Sequence, residues 1–164
     1  EVQYLPTDQL LLAVTYAKND LKFDKFVGFD PVTLTATDRS SEKFPYLLKS
    51  KVTLNARYTV PLGDNVGSLA FSTTWSHQGK LNFTPTPQPG ATEAPLWLGN
   101  ARIDWNNIGG YGLDGSFFVT NISNKLYRTG MYTIYDSFGY SSDIWGEPRM
   151  WGFSLRYRFG AEAK

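Results

Sequence analysis

The chain lacks cysteine and long apolar runs, and it has a single histidine. Without cysteine it cannot form disulfides, thiolate metal sites or a cysteine nucleophile. No stretch approaches the roughly 20 consecutive apolar residues that a membrane-spanning helix needs. Charge is also sparse, because charged residues make up 19% of the chain and the formal net charge is +1. This balance gives no electrostatic footprint for nucleic acid, and we expect no nucleic-acid partner.

Aromatic residues, in contrast, are abundant at 16% of the chain. In residues 151–159 bulky and apolar side chains alternate without a break with small or cationic ones. The apolar set is Trp151, Phe153, Leu155, Tyr157 and Phe159, and the intervening set is Gly152, Ser154, Arg156 and Arg158. Residues 51–60 repeat this period of two. The alternation predicts β-strands with one apolar and one polar face, each about as long as one tilted bilayer crossing.

Six strands are expected in all, and the connections between them alternate in length. The strands are predicted at residues 9–25, 51–60, 68–82, 96–106, 113–123 and 151–159. The links at 61–67 and 107–112 are tight and glycine-rich, whereas those at 26–43, 83–95 and 124–146 are long. This pattern favours an all-β fold, an antiparallel transmembrane β-barrel segment with short periplasmic turns and long extracellular loops. Six strands would close to too narrow a ring, so we expect an open, curved sheet with two unpaired edges.

Two groups of side chains are candidates for function in such a wall. Arg57, Arg102, Arg156 and Arg158 are expected to face the lumen, where they would hydrate the wall, steer anions or pair with carboxylates. Aromatic residues of the long loops are candidates for a ligand-capturing mouth: Phe26, Phe29, Tyr132, Tyr135, Phe138 and Tyr140. A second set of aromatic residues, near the strand ends, are candidates for the aromatic girdles at the two membrane interfaces: Trp75, Trp97, Trp105, Tyr111, Tyr127 and Trp145.

Catalytic and metal sites have weaker support in the sequence. Ser76 and His77 are the best catalytic pair, but neighbours on a strand point to opposite faces. We therefore expect no enzyme activity, no catalytic residue and no cofactor. Asp20, Asp24 and Asp30 flank the first long loop and could bind a hard cation such as calcium, but their spacing matches no EF-hand loop and we expect no metal site. The Asn121-Ile122-Ser123 sequon is interpreted as coincidence.

Several segments resemble TonB-dependent receptors of the bacterial outer membrane. Gly146-Glu147-Pro148-Arg149 followed by the alternating strand to Phe159 resembles the final strand of that family. The segment from Asn55 to Asp64 resembles a receptor strand with its periplasmic turn, residues 98–105 are similar to a strand that follows it, and Thr120 to Tyr127 resembles an element near the receptor's end. The likeness covers nearly the whole chain, except that residues 160–164 follow the phenylalanine at which the family usually ends.

The resemblance implies that residues 1–164 are the C-terminal portion of a receptor barrel, without its plug. It implies outer-membrane uptake of a scarce nutrient such as a ferric siderophore, haem, cobalamin or a glycan. The implied partners are the plug domain and remaining strands of the same receptor, TonB acting through that plug, outer-membrane lipid, and the barrel-assembly machinery. The alternating residues Trp151, Phe153, Leu155, Tyr157 and Phe159 would form the strand that this machinery reads.

Two other interpretations remain compatible with the residues. A small autonomous barrel with hydrolase activity would need His77 close to a serine on a neighbouring strand. A soluble carbohydrate-binding sandwich would use exposed tryptophans and would pack the apolar faces of two sheets on each other.

Overall fold

The structure is a computed structural model that describes residues 1–30 and 33–159. This part of the chain contains thirteen strands and one short helix. The elements are, in order, β1 (Val2–Thr7), β2 (Leu10–Lys18), β3 (Val27–Asp30), β4 (Thr35–Asp38), β5 (Ser50–Pro61), β6 (Ser68–Gln78), β7 (Leu81–Asn82), β8 (Thr92–Glu93), β9 (Leu96–Ile108), β10 (Leu113–Thr120), β11 (Arg128–Thr133), α1 (Tyr135–Phe138), β12 (Ser141–Trp145) and β13 (Met150–Tyr157). No helix in the described residues is long and apolar enough to cross a membrane.

Seven strands form one antiparallel sheet in the order β1-β2-β5-β6-β9-β10-β13. The all-β, antiparallel prediction is confirmed, and the sheet has one strand more than the six expected. The additional strand is β1, which pairs with β2 through a tight turn in which the backbone N–H of Leu10 donates to the Thr7 hydroxyl at 3.2 Å. Pro6 and a register shift between Tyr4 and Thr7 interrupt the alternation, so β1 has no clear period in the sequence.

Several strand ends differ from the prediction. β2 ends at Lys18 rather than residue 25, and β6 ends at Gln78 rather than residue 82. β10 ends at Thr120 because the next residue, Asn121, has a positive φ of 47° that a strand cannot continue. β9 continues to Ile108, and β13 spans Met150–Tyr157, so Phe159 lies beyond its end. The tail at 160–164 lies outside the described residues.

The sheet has short turns at one end and long connections at the other, as predicted. Residues 8–9, 62–67 and 109–112 make the turns, while residues 19–49, 79–95 and 121–149 connect the opposite strand ends. Gly67 shows why one turn is glycine-rich: its φ is +94°, and a Cβ there would overlap the backbone oxygens of Asn106 and Asn107. The three long connections contain the small hairpins β3-β4, β7-β8 and β11-β12.

Registered pairing makes one face of the sheet apolar and the other polar. One row crosses five neighbouring strands on the apolar face: Tyr58, Phe71, Ile103, Phe117 and Phe153. The adjacent row on the polar face contains Arg57, Ser72, Arg102, Phe118 and Gly152. The side chains of the apolar row remain between 41% and 76% exposed. A soluble sandwich would bury such a face between two sheets, so the exposed row argues against the sandwich interpretation.

Burial is concentrated in the long connections rather than in the sheet. Among the described residues, the buried hydrophobic cluster consists of Phe83, Ala91 and Met131, with the partly buried Leu81 against it. Phe83 and Ala91 lie in the second long connection and Met131 in the third. The small hydrophobic core of the described residues therefore lies among the long connections and not in the seven-stranded sheet.

Candidate functional site

The three long connections are joined to one another, and together they are called here the loop layer (residues 19–30, 33–49, 79–95 and 121–149). Tyr46, from the first connection, donates its hydroxyl to the Met131 carbonyl at 3.1 Å and accepts the Met131 N–H at 3.3 Å. Its backbone N–H also donates to the Asn82 carbonyl at 2.8 Å, and its ring lies 5.7 Å from that of Phe83. One tyrosine thus contacts both other connections.

Arg128, at the start of β11, holds the third connection to the second. Its guanidinium donates to the Glu93 carboxylate at 2.8 Å, to the Thr92 carbonyl at 2.6 Å and to the Gly90 carbonyl at 2.7 Å. It also reaches the Asp143 carboxylate on β12 at 3.1 Å. These contacts satisfy donors of a cation whose side chain is only 15% exposed.

The electrostatics around Arg128 favour its charged form. Burial by itself lowers the pKa of Arg128, but the hydrogen bonds and charges of Glu93 and Asp143 outweigh burial and raise that pKa above its ordinary value. The guanidinium carbon also lies 5.3 Å from the centre of the Phe83 ring, within cation–π distance. Arg128 is therefore a charged group that links two carboxylates, two backbone carbonyls of the second connection and the buried cluster.

Most aromatic residues predicted for a mouth lie on the surface of the loop layer. The exposed ones are Phe29, Tyr132, Tyr135, Phe138 and Tyr140. Phe26 differs, because its ring stacks on Phe23 at 4.8 Å and is half-buried. The exposed rings present apolar surface to solvent at the long-connection end of the sheet.

Arg57, Arg102 and Arg156 lie on the polar face of the sheet, and Arg158, directly after β13, reaches Asp114 on the same face. Arg57 and Arg102 converge on Asp104, with nitrogen–oxygen distances of 3.6 Å and 2.6 Å. Arg102 also donates to the Ser116 hydroxyl at 2.8 Å, which lies 2.7 Å from the Ser154 hydroxyl. The structure thus connects β5, β9, β10 and β13 through polar side chains. That this face lines a lumen stays a prediction.

The other two arginines lie near the short-turn end of β13. Arg158 donates to Asp114 at 2.9 Å, and the same carboxylate oxygen accepts the backbone N–H of Asn107 at 2.9 Å. Arg156 faces Asp114 across the strand pair but makes no hydrogen bond or ion pair within the described chain. Lys51 also lies on this face. The arginines and this lysine outnumber Asp104 and Asp114, so the polar face carries a net positive charge.

The catalytic candidates are separated as their spacing predicts. Ser76 lies on the polar face, 3.4 Å from the Thr53 hydroxyl, whereas His77 lies on the apolar face with its ring 5.0 Å from that of Trp97. His77 pairs across the sheet with Val52 and Trp97, so its strand neighbours supply no serine. The geometry gives the hydrolase interpretation no nucleophile–base pair here.

The acidic candidates for a metal are not brought together. Asp20 lines a cleft of the first connection, whereas Asp30 lies in β3, where its carboxylate accepts the Thr33 N–H at 3.3 Å. In the described ranges no group of three His, Cys, Asp or Glu side chains is arranged to hold a metal ion.

Two of the sequence segments singled out above meet in space. The Asn121 side chain donates to the carbonyls of Lys125 at 2.9 Å and Glu147 at 3.1 Å, and accepts the Lys125 N–H at 2.9 Å. The backbone N–H of Gly146 donates to the Tyr127 carbonyl at 2.9 Å, and the Tyr127 ring covers Gly146 where a Cβ would point. Asn121 is 5% exposed and its amide is committed to these bonds, which is consistent with a coincidental sequon.

The girdle candidates divide between the sheet and its connections. Trp75, Trp97 and Trp105 lie on the apolar face, and Trp97 and Trp105 stand near opposite ends of β9. Tyr127 and Trp145 belong to the third long connection, and Tyr111 to a short turn. The edge strand β13 presents Trp151, Phe153, Leu155 and Tyr157 on the apolar face, each at least 60% exposed, and Phe159 beyond it is 83% exposed.

Sequence reasoning missed the residues that join the loop layer. Arg128 and Glu93 are 35 positions apart, and Tyr46 and Met131 are 85 positions apart. Neither pair belongs to a motif or a periodic segment, so the sequence alone has no signal for them.

Comparison with known proteins identifies the fold but not a family. No family model matches the chain, and no curated protein matches it significantly. Among solved structures it is similar to the crystal structure of the ferric yersiniabactin uptake receptor FyuA from Yersinia pestis, with a TM-score of 0.74 and 11% identity. The match covers 96% of this chain and 22% of that receptor chain, so this chain spans about a fifth of its length. At this identity the likeness shows a shared β-barrel segment and nothing finer.

Proposed function

We propose that the chain forms the last strands of the wall of a TonB-dependent outer-membrane receptor that takes up a scarce nutrient, such as a ferric siderophore. The observation that carries the proposal is a seven-stranded sheet whose apolar face is exposed across its whole width, with an interlocked loop layer at one end only. Lipid is the environment that such a face requires.

The amount of exposed surface supports a lipid-covered face. The accessible surface of the chain is 11564 Å², about 40% above the roughly 8,200 Å² expected for a compact protein of 18.5 kDa. Soluble proteins rarely leave a contiguous apolar patch larger than a few hundred Å². A face that bears Tyr58, Phe71, Ile103, Phe117 and Phe153 in a single row would be a severe aggregation hazard in water.

Strand dimensions agree with a membrane wall. β5, β6 and β9 contain 12, 11 and 13 residues, and a tilted transmembrane strand needs about 9–11. Trp97 and Trp105 are eight positions apart on β9, which corresponds to about 26 Å along a strand. They would mark the two interfaces of an apolar band about 25 Å tall.

Orientation follows from the connections. In bacterial outer-membrane barrels the long loops are extracellular and the short turns periplasmic. The loop layer would then face the medium, the turns at 62–67 and 109–112 would face the periplasm, and β13 would run toward the periplasm. The polar face with Arg57, Arg102 and Arg156 would face the lumen and a plug domain, through which TonB would supply energy.

The role of β13 as an assembly strand can be tested in the full protein. Replacing Phe153, Leu155 and Tyr157 together by serine removes three exposed apolar side chains from the lipid face. We expect outer-membrane levels to fall at least about tenfold, because transmembrane strands need a continuous apolar outer face. Deletion of residues 154–159 should have the same effect. Immunoblots of separated outer membranes measure both.

Matched substitutions on the opposite face of the same strand provide the control. Ser154→Thr and Arg156→Gln keep the polar face polar and should leave outer-membrane levels within about twofold, since lumen substitutions are tolerated. Normal levels of the serine triple variant, or equal losses from both faces, would contradict the proposed wall.

A further inference from the structure

The first long connection folds around a cleft of about 290 Å³ at the edge of the loop layer. Phe23 and Phe44 line it, and their rings stack on each other at a centroid distance of 4.1 Å and an interplanar angle of 17°. Phe26 also stacks on Phe23, at a centroid distance of 4.8 Å, and the Arg39 guanidinium lies 5.8 Å from the Phe26 ring. One wall of the cleft is therefore the stacked pair of Phe23 and Phe44, called here the phenyl column, and Phe26 extends the stack outside the cleft.

Positive charge surrounds this apolar wall. Lys22, Lys43 and Lys49 all line the cleft, and none of their ammonium groups has a hydrogen-bond or ion-pair partner within the described residues. Two carboxylates also line it, but Glu42 is ion-paired with Arg39 and only 12% exposed. Asp20 is left to offset three unpaired ammonium groups, so the cleft keeps a net positive charge.

A ligand that satisfies both features has a flat apolar body and a negative charge. The phenyl column offers a surface for ring stacking, and unpaired ammonium groups near a concave surface bind a carboxylate through charge-assisted hydrogen bonds. The volume is at the lower limit of small-molecule sites, which are usually about 300–1,000 Å³. It holds one ring system with its acidic group.

We infer that this cleft is a binding site for a small aromatic carboxylate, which the phenyl column positions and the lysines neutralise. This inference adds to the proposed function a chemical class of ligand for the loop layer. It rests on the proposed function only in placing the cleft on the extracellular side. Binding itself depends on residues 20–23 and 40–49, not on transport.

The test uses the full protein in detergent micelles and 4-fluorobenzoate as the probe, followed by fluorine NMR. Saturable binding is expected, and the uncharged 4-fluorobenzamide should bind at least about tenfold more weakly, because it lacks the carboxylate that the ammonium groups recognise. Raising the salt concentration from about 0.05 M to about 0.5 M should weaken binding of the acid but not of the amide.

Variants separate the cleft from other basic surface. The combined Lys22→Gln, Lys43→Gln and Lys49→Gln variant keeps the apolar stems and should lose at least about tenfold in affinity for the acid. Lys80→Gln is the control, since Lys80 lines a neighbouring cleft and not this one, and it should bind within about twofold of the parent. Circular dichroism must show both variants folded.

Equal binding of acid and amide, unchanged affinity in the triple variant, or no saturable binding would overturn the inference. Membrane insertion is measured on the same preparations by fractionation. If the protein is inserted in the outer membrane but does not bind the probe, the inferred binding site is wrong and the proposed function is unaffected. If the protein binds the probe through the lysines but is absent from outer membranes, the proposed function is wrong and the inferred binding site is unaffected.

Discussion

Replacing Arg128 by alanine should loosen the entire loop layer while leaving the sheet intact. The substitution removes hydrogen bonds to Glu93, Asp143, Thr92 and Gly90 at distances of 2.6–3.1 Å, as well as the contact with the Phe83 ring. It also leaves the Glu93 carboxylate, which is 16% exposed, without its cation.

The magnitude follows from the burial of this pair. Breaking a buried ion pair by removing one partner costs about 3–5 kcal/mol, because the remaining charge stays desolvated. Arg128 is 15% exposed and Asp143 is 34% exposed, so the Asp143 contact adds little. We expect the free energy of opening the loop layer to fall by about 3 kcal/mol, which corresponds to more than a hundredfold in the opening equilibrium.

Amide hydrogen exchange measures this opening residue by residue. The N–H groups of Phe83 and Tyr46, which donate to the Ala91 and Asn82 carbonyls, should exchange more than a hundredfold faster in the variant. Amides of β5, β6 and β9 should keep their rates. Arg57→Ala is the matched control, because its side chain is 46% exposed and its ion-pair distance is 3.6 Å. Unchanged exchange at Phe83 and Tyr46 in the Arg128 variant would refute the joined loop layer.

Three further substitutions test other contacts. Asn121→Ala loses three side-chain hydrogen bonds and places alanine at a φ of 47°, so it should lower the free energy of unfolding by about 3 kcal/mol in denaturant titrations; a change below about 1 kcal/mol would contradict this. Asp104→Asn should cost less than about 1 kcal/mol, since Arg57 and Arg102 are each nearly half exposed, and a larger loss would show that the pair is more deeply desolvated. Gly99→Ala would place its Cβ 2.7 Å from the Trp75 ring; it should displace that ring, shift tryptophan fluorescence and cost about 1–3 kcal/mol, whereas an unchanged spectrum would mean that the ring does not pack on Gly99.

The sheet could be predicted because its determinants are local. Side chains alternate with a period of two wherever one face is apolar and the other polar, and residues 51–60 and 151–159 show this directly. Strand β1 was not predicted because Pro6 interrupts the alternation of its side chains. The C-terminal end of β10 was not predicted correctly. Asn121, which ends the strand with its positive φ, is held by hydrogen bonds to Lys125 and Glu147, and Glu147 is 26 positions away.

The loop layer could not be predicted because it consists of long-range contacts. Tyr46 and Met131 are 85 positions apart and Arg128 and Glu93 are 35 positions apart, so each contact depends on how the sheet arranges its strand ends. Aromatic residues in long connections did indicate a surface rich in rings, yet nothing local separated the exposed Tyr132 from the stacked Phe26. The polar-face arginines were predictable by alternation, whereas the shared carboxylate of Asp104 required the register between strands.

The central claim, that this sheet is an outer-membrane wall with the loop layer outside, is tested most directly by single-cysteine labelling in intact cells. This chain has no cysteine. In a full protein from which any cysteine elsewhere has been removed, Ser142→Cys on β12, Asn65→Cys in a short turn and Phe117→Cys on the apolar face report three environments. A membrane-impermeant maleimide should label position 142 in intact cells, position 65 only after the outer membrane is opened, and position 117 in neither case. Labelling of position 65 in intact cells, or ready labelling of position 117 by the aqueous reagent, would contradict the account.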